Sequence, residues 1–188
     1  MSVDWADPSV LERSAGGPLE PDSRSAAAPF ESLEDSPEGF VNRWRGRAAQ
    51  AELFARPEGV PLIECRVADA VIQVFERTGP YMSRPGPNRL IVNPTTAGLR
   101  VVEGGAEHRL ESLGLSRVAA TGSVLEVEGR TVVVDAGAPL VVTCRATLPP
   151  GVAPGASVSF ESDAPVHGFV VVSDRVTAAR REAVDESI

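Results

Sequence analysis

The chain has 188 residues, of which 43% are hydrophobic and 23% are charged, and its net charge is −8. This composition suits one sizeable domain with an appendage and differs from that of a wholly disordered chain. The negative charge disfavours binding to nucleic acid and to anionic membranes. All 18 basic residues are arginine, which excludes chemistry that needs a lysine.

Residues 1–35 are predicted to form a polar, acidic arm. The segment has four prolines and few large apolar side chains, so little burial offsets the entropy cost of ordering it. Trp5 and Phe30 are exceptions, and isolated large residues of this kind are either contact points for a partner surface or incidental. The beginning of the chain lacks the apolar core of a signal peptide, and we expect a location in the cytoplasm or in a particle assembled there.

Residues 36–56 are predicted to form one amphipathic helix. Ser36 suits the N-cap position and Pro37 the first helical position. Phe40 and Trp44 fall at helical spacing on one face. We expect this face to pack on the domain that follows or on a neighbouring subunit.

Residues 60–174 are predicted to form a β-sandwich or jelly-roll-like domain of antiparallel strands. Short runs rich in Val, Ile and Leu follow one another between Gly, Pro and Asn residues, which predicts roughly eight to ten strands. Gly104-Gly105 and Glu128-Gly129 are predicted hairpin turns because both offer the positive φ that tight turns need. The fold class is therefore mainly β, with an extended arm and one short helix before the sheet. Residues 175–188 are a tail or a short helix.

The sequence carries no motif typical of an enzyme, a metal site or a cofactor site. Its two histidines, His108 and His167, do not have the spacing of a metal-binding cluster. The two cysteines, Cys65 and Cys144, lie in apolar runs and are predicted to be buried free thiols, with a disulfide as the alternative. We therefore expect no metal, no cofactor and no catalytic residue.

The loop from Thr78 to Asn88 has the composition of a protein-contact surface. It holds Tyr81, Met82 and Arg84 between prolines and glycines. Such side chains are frequent at the centre of interfaces, and proline lowers the entropic cost of docking. The alternative is an ordered connection with no partner.

These features predict a non-enzymatic structural protein that acts through protein–protein contacts in a larger particle, for example as a virion accessory, decoration or connector component. Its partners would be copies of itself or other subunits, with neither nucleic acid nor membrane involved. A carbohydrate- or small-ligand-binding module is the first alternative, and an enzyme with an unrecognised site is the second. The predicted contact residues are Trp5, Phe30, Phe40, Trp44, Tyr81, Met82 and Arg84.

Overall fold

A computed structural model describes residues 36–79, 83–105 and 107–171. The predicted arm over 1–35 and the predicted tail over 175–188 lie outside these ranges. Within them, no helix has the length and the apolar character needed to cross a membrane.

The chain enters the fold through one short helix, α1 (Pro37–Trp44). The Ser36 hydroxyl accepts a hydrogen bond from the Gly39 backbone N–H at 3.0 Å, as the predicted N-cap requires. A 3-10 turn, Arg45–Arg47, follows the helix, and the first strand, β1, covers Ala49–Leu53. The prediction of helix as far as residue 56 was therefore wrong.

The sequence of β1 fits a helix by propensity but is used as a strand. Ala49, Ala51 and Leu53 are buried, and the residues between them are exposed, so burial alternates with the period of two that defines a strand. β1 also pairs with a neighbouring strand on each side. Sheet pairing and burial thus outweigh the helix propensity of alanine, glutamine and glutamate.

Eleven further strands follow β1 in chain order. They are β2 (Leu62–Val67), β3 (Ala70–Glu76), β4 (Gly86–Asn93), β5 (Thr95–Thr96), β6 (Arg100–Val101), β7 (Arg109–Ser112), β8 (Val118–Glu128), β9 (Thr131–Asp135), β10 (Pro139–Cys144), β11 (Ser157–Glu161) and β12 (His167–Val171).

Five of the strands form a closed ring. β1 pairs with β2, β2 with β3, β3 with β12, β12 with β4, and β4 with β1. The contact that closes the ring is short, because β12 pairs with only two residues of β3, Phe75 and Glu76.

The remaining strands extend the sheet from β4 in the order β10, β9, β8, β11 and β6, while β5 pairs with β10 and β7 with β8. β10 runs parallel to β4 and β5, and β12 runs parallel to β3. The fold is mainly β with one short helix, as predicted, but the sheet is mixed, and the expectation of antiparallel strands throughout was wrong. The physical reason is that these parallel strands are joined by long connections rather than by hairpins. The sandwich or jelly-roll arrangement stays a prediction.

One of the two predicted hairpins is present. Glu128 pairs with Thr131 between β8 and β9, and Gly129 has a φ of 57°. Gly104 and Gly105 also have positive φ, but β6 pairs with β11 and β7 with β8. The predicted hairpin at Gly104-Gly105 was therefore wrong, because the strands that flank it have other partners.

The sheet has two hydrophobic cores, one on each face of the central strands. The larger core is aliphatic and includes Ile63, Val74, Leu90 and Leu140. The second core lies under α1, and we call it the helix-side core. Its buried members are Phe40, Trp44, Ile91, Val133, Val141, Phe169 and Val171.

Candidate functional site

The helix α1 is fixed on its own sheet by aromatic packing and by two ion pairs. Phe40 stacks on Phe169 with ring centroids 4.4 Å apart, and Trp44 is buried beside them. Arg43 binds Glu128 through two nitrogens. Arg47 donates to Glu126 at 2.9 and 3.1 Å.

This packing bears on two of the predicted contact residues. Phe40 and Trp44 lie in the helix-side core, so the intramolecular alternative for this helix face is the one observed. Their contact with another protein stays a prediction, and it would require α1 to leave the sheet.

A buried ion pair ties the loop after β3 to the ring. The Glu76 side chain is only 2% exposed and pairs with Arg56. Arg56 also donates to the Ser83 hydroxyl at 2.7 Å, and that hydroxyl donates to Glu76 at 3.2 Å. On the other side of Glu76, the Thr78 hydroxyl accepts from the Val170 N–H at 3.1 Å. The residues on both sides of 80–82 are thus held by one polar network.

Of the three predicted contact residues in this loop, Arg84 is the one that the structure describes, and it is exposed. Its carbonyl oxygen accepts a hydrogen bond from the Asn88 side-chain amide at 3.0 Å. Tyr81 and Met82 lie outside the described residues, as do Trp5 and Phe30. Among the three predicted contact residues that the structure describes, Phe40 and Trp44 lie together in the helix-side core.

The turn between β7 and β8 holds two leucines in solvent. We call residues 113–117 the leucine turn. Leu113 is 40% exposed and Leu115 is 70% exposed. The Leu113 N–H donates to the Arg117 carbonyl at 2.9 Å, which closes the turn. In the sequence, the only sign of the leucine turn is the presence of leucines beside a glycine.

A buried serine makes the leucine turn rigid. Ser116 has a φ of +50°, a left-handed conformation that a residue with a side chain rarely adopts. Its hydroxyl donates to the Val166 carbonyl at 3.3 Å, and the Val166 N–H donates to the Ser116 carbonyl at 2.9 Å. The strained backbone is thus compensated by buried hydrogen bonds. The backbone that carries the two leucines is therefore fixed by contacts within the single chain.

A serine, a histidine and an aspartate meet on one surface of the sheet. His108 Nε2 lies 3.1 Å from the Ser123 hydroxyl, and His108 Nδ1 lies 3.7 Å from Asp135 Oδ2. His108 is 40% exposed, and Ser123 is half-buried. The order of side chains, hydroxyl to imidazole to carboxylate, is the order found in activated nucleophiles, but here only the first contact has hydrogen-bond length.

Strand β8 changes its pairing partner along its length, and this change brings the three side chains together. Ser123 is directly opposite Asp135 on β9. Two residues earlier on β8, Thr121 pairs with Arg109 of β7 instead. His108 immediately precedes β7, so its ring reaches the point where β8 leaves β7 and meets β9. The sequence does not predict this group, because no local spacing connects the three residues.

The other cysteine and histidine side chains are the two buried cysteines and the half-buried His167. Cys65 and Cys144 are free and buried, which confirms the prediction of buried free thiols. Burial raises the pKa of Cys65 to about 12, with a contribution from Glu64, and raises the pKa of Cys144 to about 11. Burial, assisted by the charge of Arg77, lowers the pKa of His167.

An open groove runs beside β1. Its volume is about 710 Å³, and it is lined mainly by small side chains from β1 and from the turn between β9 and β10, including Ala49, Ala51 and Ala138. Gln50, Glu52 and Arg66 provide its polar and charged side chains. The groove lacks the aromatic platform that sugar sites usually present.

The carboxylates near the end of β11 lie opposite arginines. Glu161 is 3.9 Å from Arg117, and Asp163 is 3.5 Å from Arg145. In the part of the chain that the structure describes, no three His, Cys, Asp or Glu side chains form a group that could hold a metal ion.

Comparison with protein-family models, with curated proteins and with solved structures finds no match. The functional argument therefore rests on the residues and geometry of this chain.

Proposed function

We propose that this chain is a structural subunit that acts through protein–protein contacts in a larger assembly, and that its first partner is a second copy of itself. The observation that carries the proposal is the leucine turn, which holds Leu113 and Leu115 in solvent on a rigid backbone. Preorganised apolar side chains lose little entropy on docking. The net charge of −8 favours protein partners over nucleic acid. A virion accessory, decoration or connector component is the particular form of assembly protein that we favour.

Strand β7, which leads into the leucine turn, supports a second copy as the partner. Among the described strands, β7 forms ladder pairs only with β8, and its residues also lie close to β3. Arg109 and Glu111 are both exposed, lie two residues apart on the same face of the strand, and form an ion pair with each other that a second copy would have to exchange. If two copies pair their β7 edges antiparallel about Leu110, Arg109 of each copy faces Glu111 of the other. The edge is therefore complementary in charge to itself.

The test is the molar mass of the full chain, measured by light scattering during size exclusion over a range of concentrations. We expect a concentration-dependent dimer or larger species. Arg109→Glu would place like charges opposite each other and should yield monomers, while the double variant Arg109→Glu, Glu111→Arg should restore assembly. A full chain that stays monomeric at every concentration would contradict self-association.

The leucine turn is tested separately with a pair of matched substitutions. Leu113 and Leu125 are equally exposed, at 40% each, but Leu125 lies on β8 beyond the segment that pairs with β7. Leu113→Asp should weaken self-association by roughly tenfold or more, because a charge is then placed in the interface. Leu125→Asp should leave it unchanged. Equal effects of the two substitutions would argue against the leucine turn as the contact.

A second candidate function, binding of a small ligand, is favoured by the groove beside β1. Its volume of about 710 Å³ lies within the usual range for ligand sites. A panel of sugars and small carboxylic acids, screened by thermal unfolding, tests this candidate. We expect a saturable rise in Tm for a true ligand, and Gln50→Trp, which would fill the groove, should abolish it. No shift with any compound would leave protein contact as the only proposed function.

A further inference from the structure

We propose that Ser123 is a nucleophile that accepts an acyl group from an activated ester or thioester, with His108 as its general base. Asp135 is the positioning residue that orients the imidazole. The proposal rests on the two contacts that His108 makes, 3.1 Å to the Ser123 hydroxyl and 3.7 Å to Asp135. It adds a chemical activity to a surface outside the leucine turn.

The two ring nitrogens of His108 have different neighbours, and this difference sets their roles. Nδ1 faces the Asp135 carboxylate at 3.7 Å, which is too long for a hydrogen bond but places a negative charge beside that nitrogen and so favours the proton there. Nε2 then presents its lone pair to the Ser123 hydroxyl, at a distance within the reach of a general base. Ser123 alone is a weak nucleophile, and the adjacent base is what activates it.

Asp135 is itself held in place by the turn that follows β9. Its other carboxylate oxygen, Oδ1, accepts a hydrogen bond from the Gly137 N–H at 3.1 Å. The carboxylate is therefore fixed on one side by the backbone and presents the other oxygen to the ring. We assign to this carboxylate the role of the third group that orients the base, through the attraction of its charge for the ring.

The acyl transfer conserves atoms and charge. The Ser123 oxygen forms a bond to the carbonyl carbon of the donor, and its proton passes to His108 Nε2. The bond between that carbon and the leaving oxygen or sulfur then breaks, and the leaving group takes the proton from Nε2. The products are acyl-Ser123 and a free phenol or thiol. No oxidant, metal or cofactor enters the step.

The exposure of the site defines the class of donor. His108 and Asp135 are each more than a third exposed on the side chain, so a donor reaches them from solvent. An aryl ester or a thioester suits such an open site, because its leaving group is stable as an anion and needs little help to depart. Small acyl groups are favoured because Ser123 is half-buried.

The composition makes the modification easy to assign. The chain contains no lysine, so no side-chain amine competes for the acyl group. Both cysteines are buried free thiols and are poor competitors as well. A single acyl group on the folded chain can therefore be traced to one residue by peptide mass analysis.

The test uses the full chain and p-nitrophenyl acetate, with intact mass, peptide mapping and release of p-nitrophenolate as readouts. We expect one acetyl group per chain, located on Ser123, and a matching burst of p-nitrophenolate. Ser123→Ala should abolish both. His108→Gln should slow acylation by roughly 100-fold or more.

Two further variants separate chemistry from structure. Asp135→Asn keeps an oxygen for the Gly137 N–H and should slow acylation less than His108→Gln does. Ser159→Ala is the matched control, because Ser159 is also a half-buried strand serine, and it should react as the unmodified chain does. Acetylation at another residue, or equal rates for the parent chain and His108→Gln, would overturn the proposal.

Discussion

Replacing Gly122 by alanine tests a close approach between β8 and β9. A Cβ atom at position 122 would lie 1.9 Å from the Asp135 carbonyl oxygen and 2.6 Å from its carbonyl carbon. Carbon and oxygen atoms in contact across a sheet are normally about 3.3 Å apart or more. The backbone of β9 would therefore have to recede by more than about 1 Å.

The displacement is costly because β9 has little freedom to move. It is paired with β8 on one side and with β10 on the other, and Val132, Val133 and Val134 are fully buried. Overpacking of a core by one methyl group typically costs 1–3 kcal/mol, and the atom met here is backbone rather than a flexible side chain. We expect Gly122→Ala to lower the free energy of unfolding by about 3 kcal/mol or more.

Urea unfolding of the full chain measures this loss, read as a lower midpoint at an unchanged slope. Gly46→Ala is the matched control, because a Cβ there meets nothing within 4 Å and the φ of Gly46 is not positive. That substitution should be neutral or should stabilise the fold by up to about 1 kcal/mol. A loss below about 1 kcal/mol for Gly122→Ala would refute the close approach of β8 and β9.

Two predictions follow from the buried titratable groups. Burial raises the pKa of Cys65 to about 12 and that of Cys144 to about 11. Both thiols should therefore resist a thiol reagent at pH 8 in the folded chain and react at once in urea. Fast labelling without urea would contradict their burial. Burial, with the charge of Arg77, lowers the pKa of His167, so the unfolded chain takes up this proton first and stability is lost as pH falls below about 6.5. His167→Gln should reduce the difference in unfolding free energy between pH 7.5 and pH 5, and an unchanged difference would count against the lowered pKa.

The apolar patterns predicted most strands because each run is rich in the valine, isoleucine and leucine residues that are typical of buried strands. Hydrophobic side chains of β9 and β10 are buried on both faces of the sheet, which explains their continuous runs of valine. The error at β1 has the opposite cause. Ala-Gln-Ala-Glu-Leu has the propensity of a helix, and only the pairing with β2 and β4 shows that it is a strand.

The sequence of β3 contains a sign of the buried ion pair of Glu76. Ile72 and Val74 alternate along β3 as inward-facing residues, and Glu76 continues the same alternation. An acidic residue at an inward position requires a buried partner. The sequence could have predicted that requirement, but it could not name Arg56, which comes from a separate segment before β2.

The meeting of Ser123 and Asp135 depends on one irregular residue in the β8–β9 hairpin. Counting back from the turn at Gly129, Glu128, Val127 and Glu126 pair with Thr131, Val132 and Val133 in regular register. Between Val124 and Glu126 the register shifts by one residue, and beyond it Val124 pairs with Val134 and Ser123 with Asp135.

Without this shift, the regular register would place Val124 opposite Asp135. A one-residue slip reverses the face of the sheet on which each side chain lies. A hairpin with regular register from Gly129 would therefore place Ser123 on the opposite face of the sheet from the one observed. Leu125 is the extra residue, and it is exposed as bulge residues often are. The geometry that makes Ser123 a candidate nucleophile is thus created by a bulge. Periodicity in the sequence does not reveal a bulge, and for this physical reason the sequence does not predict the site.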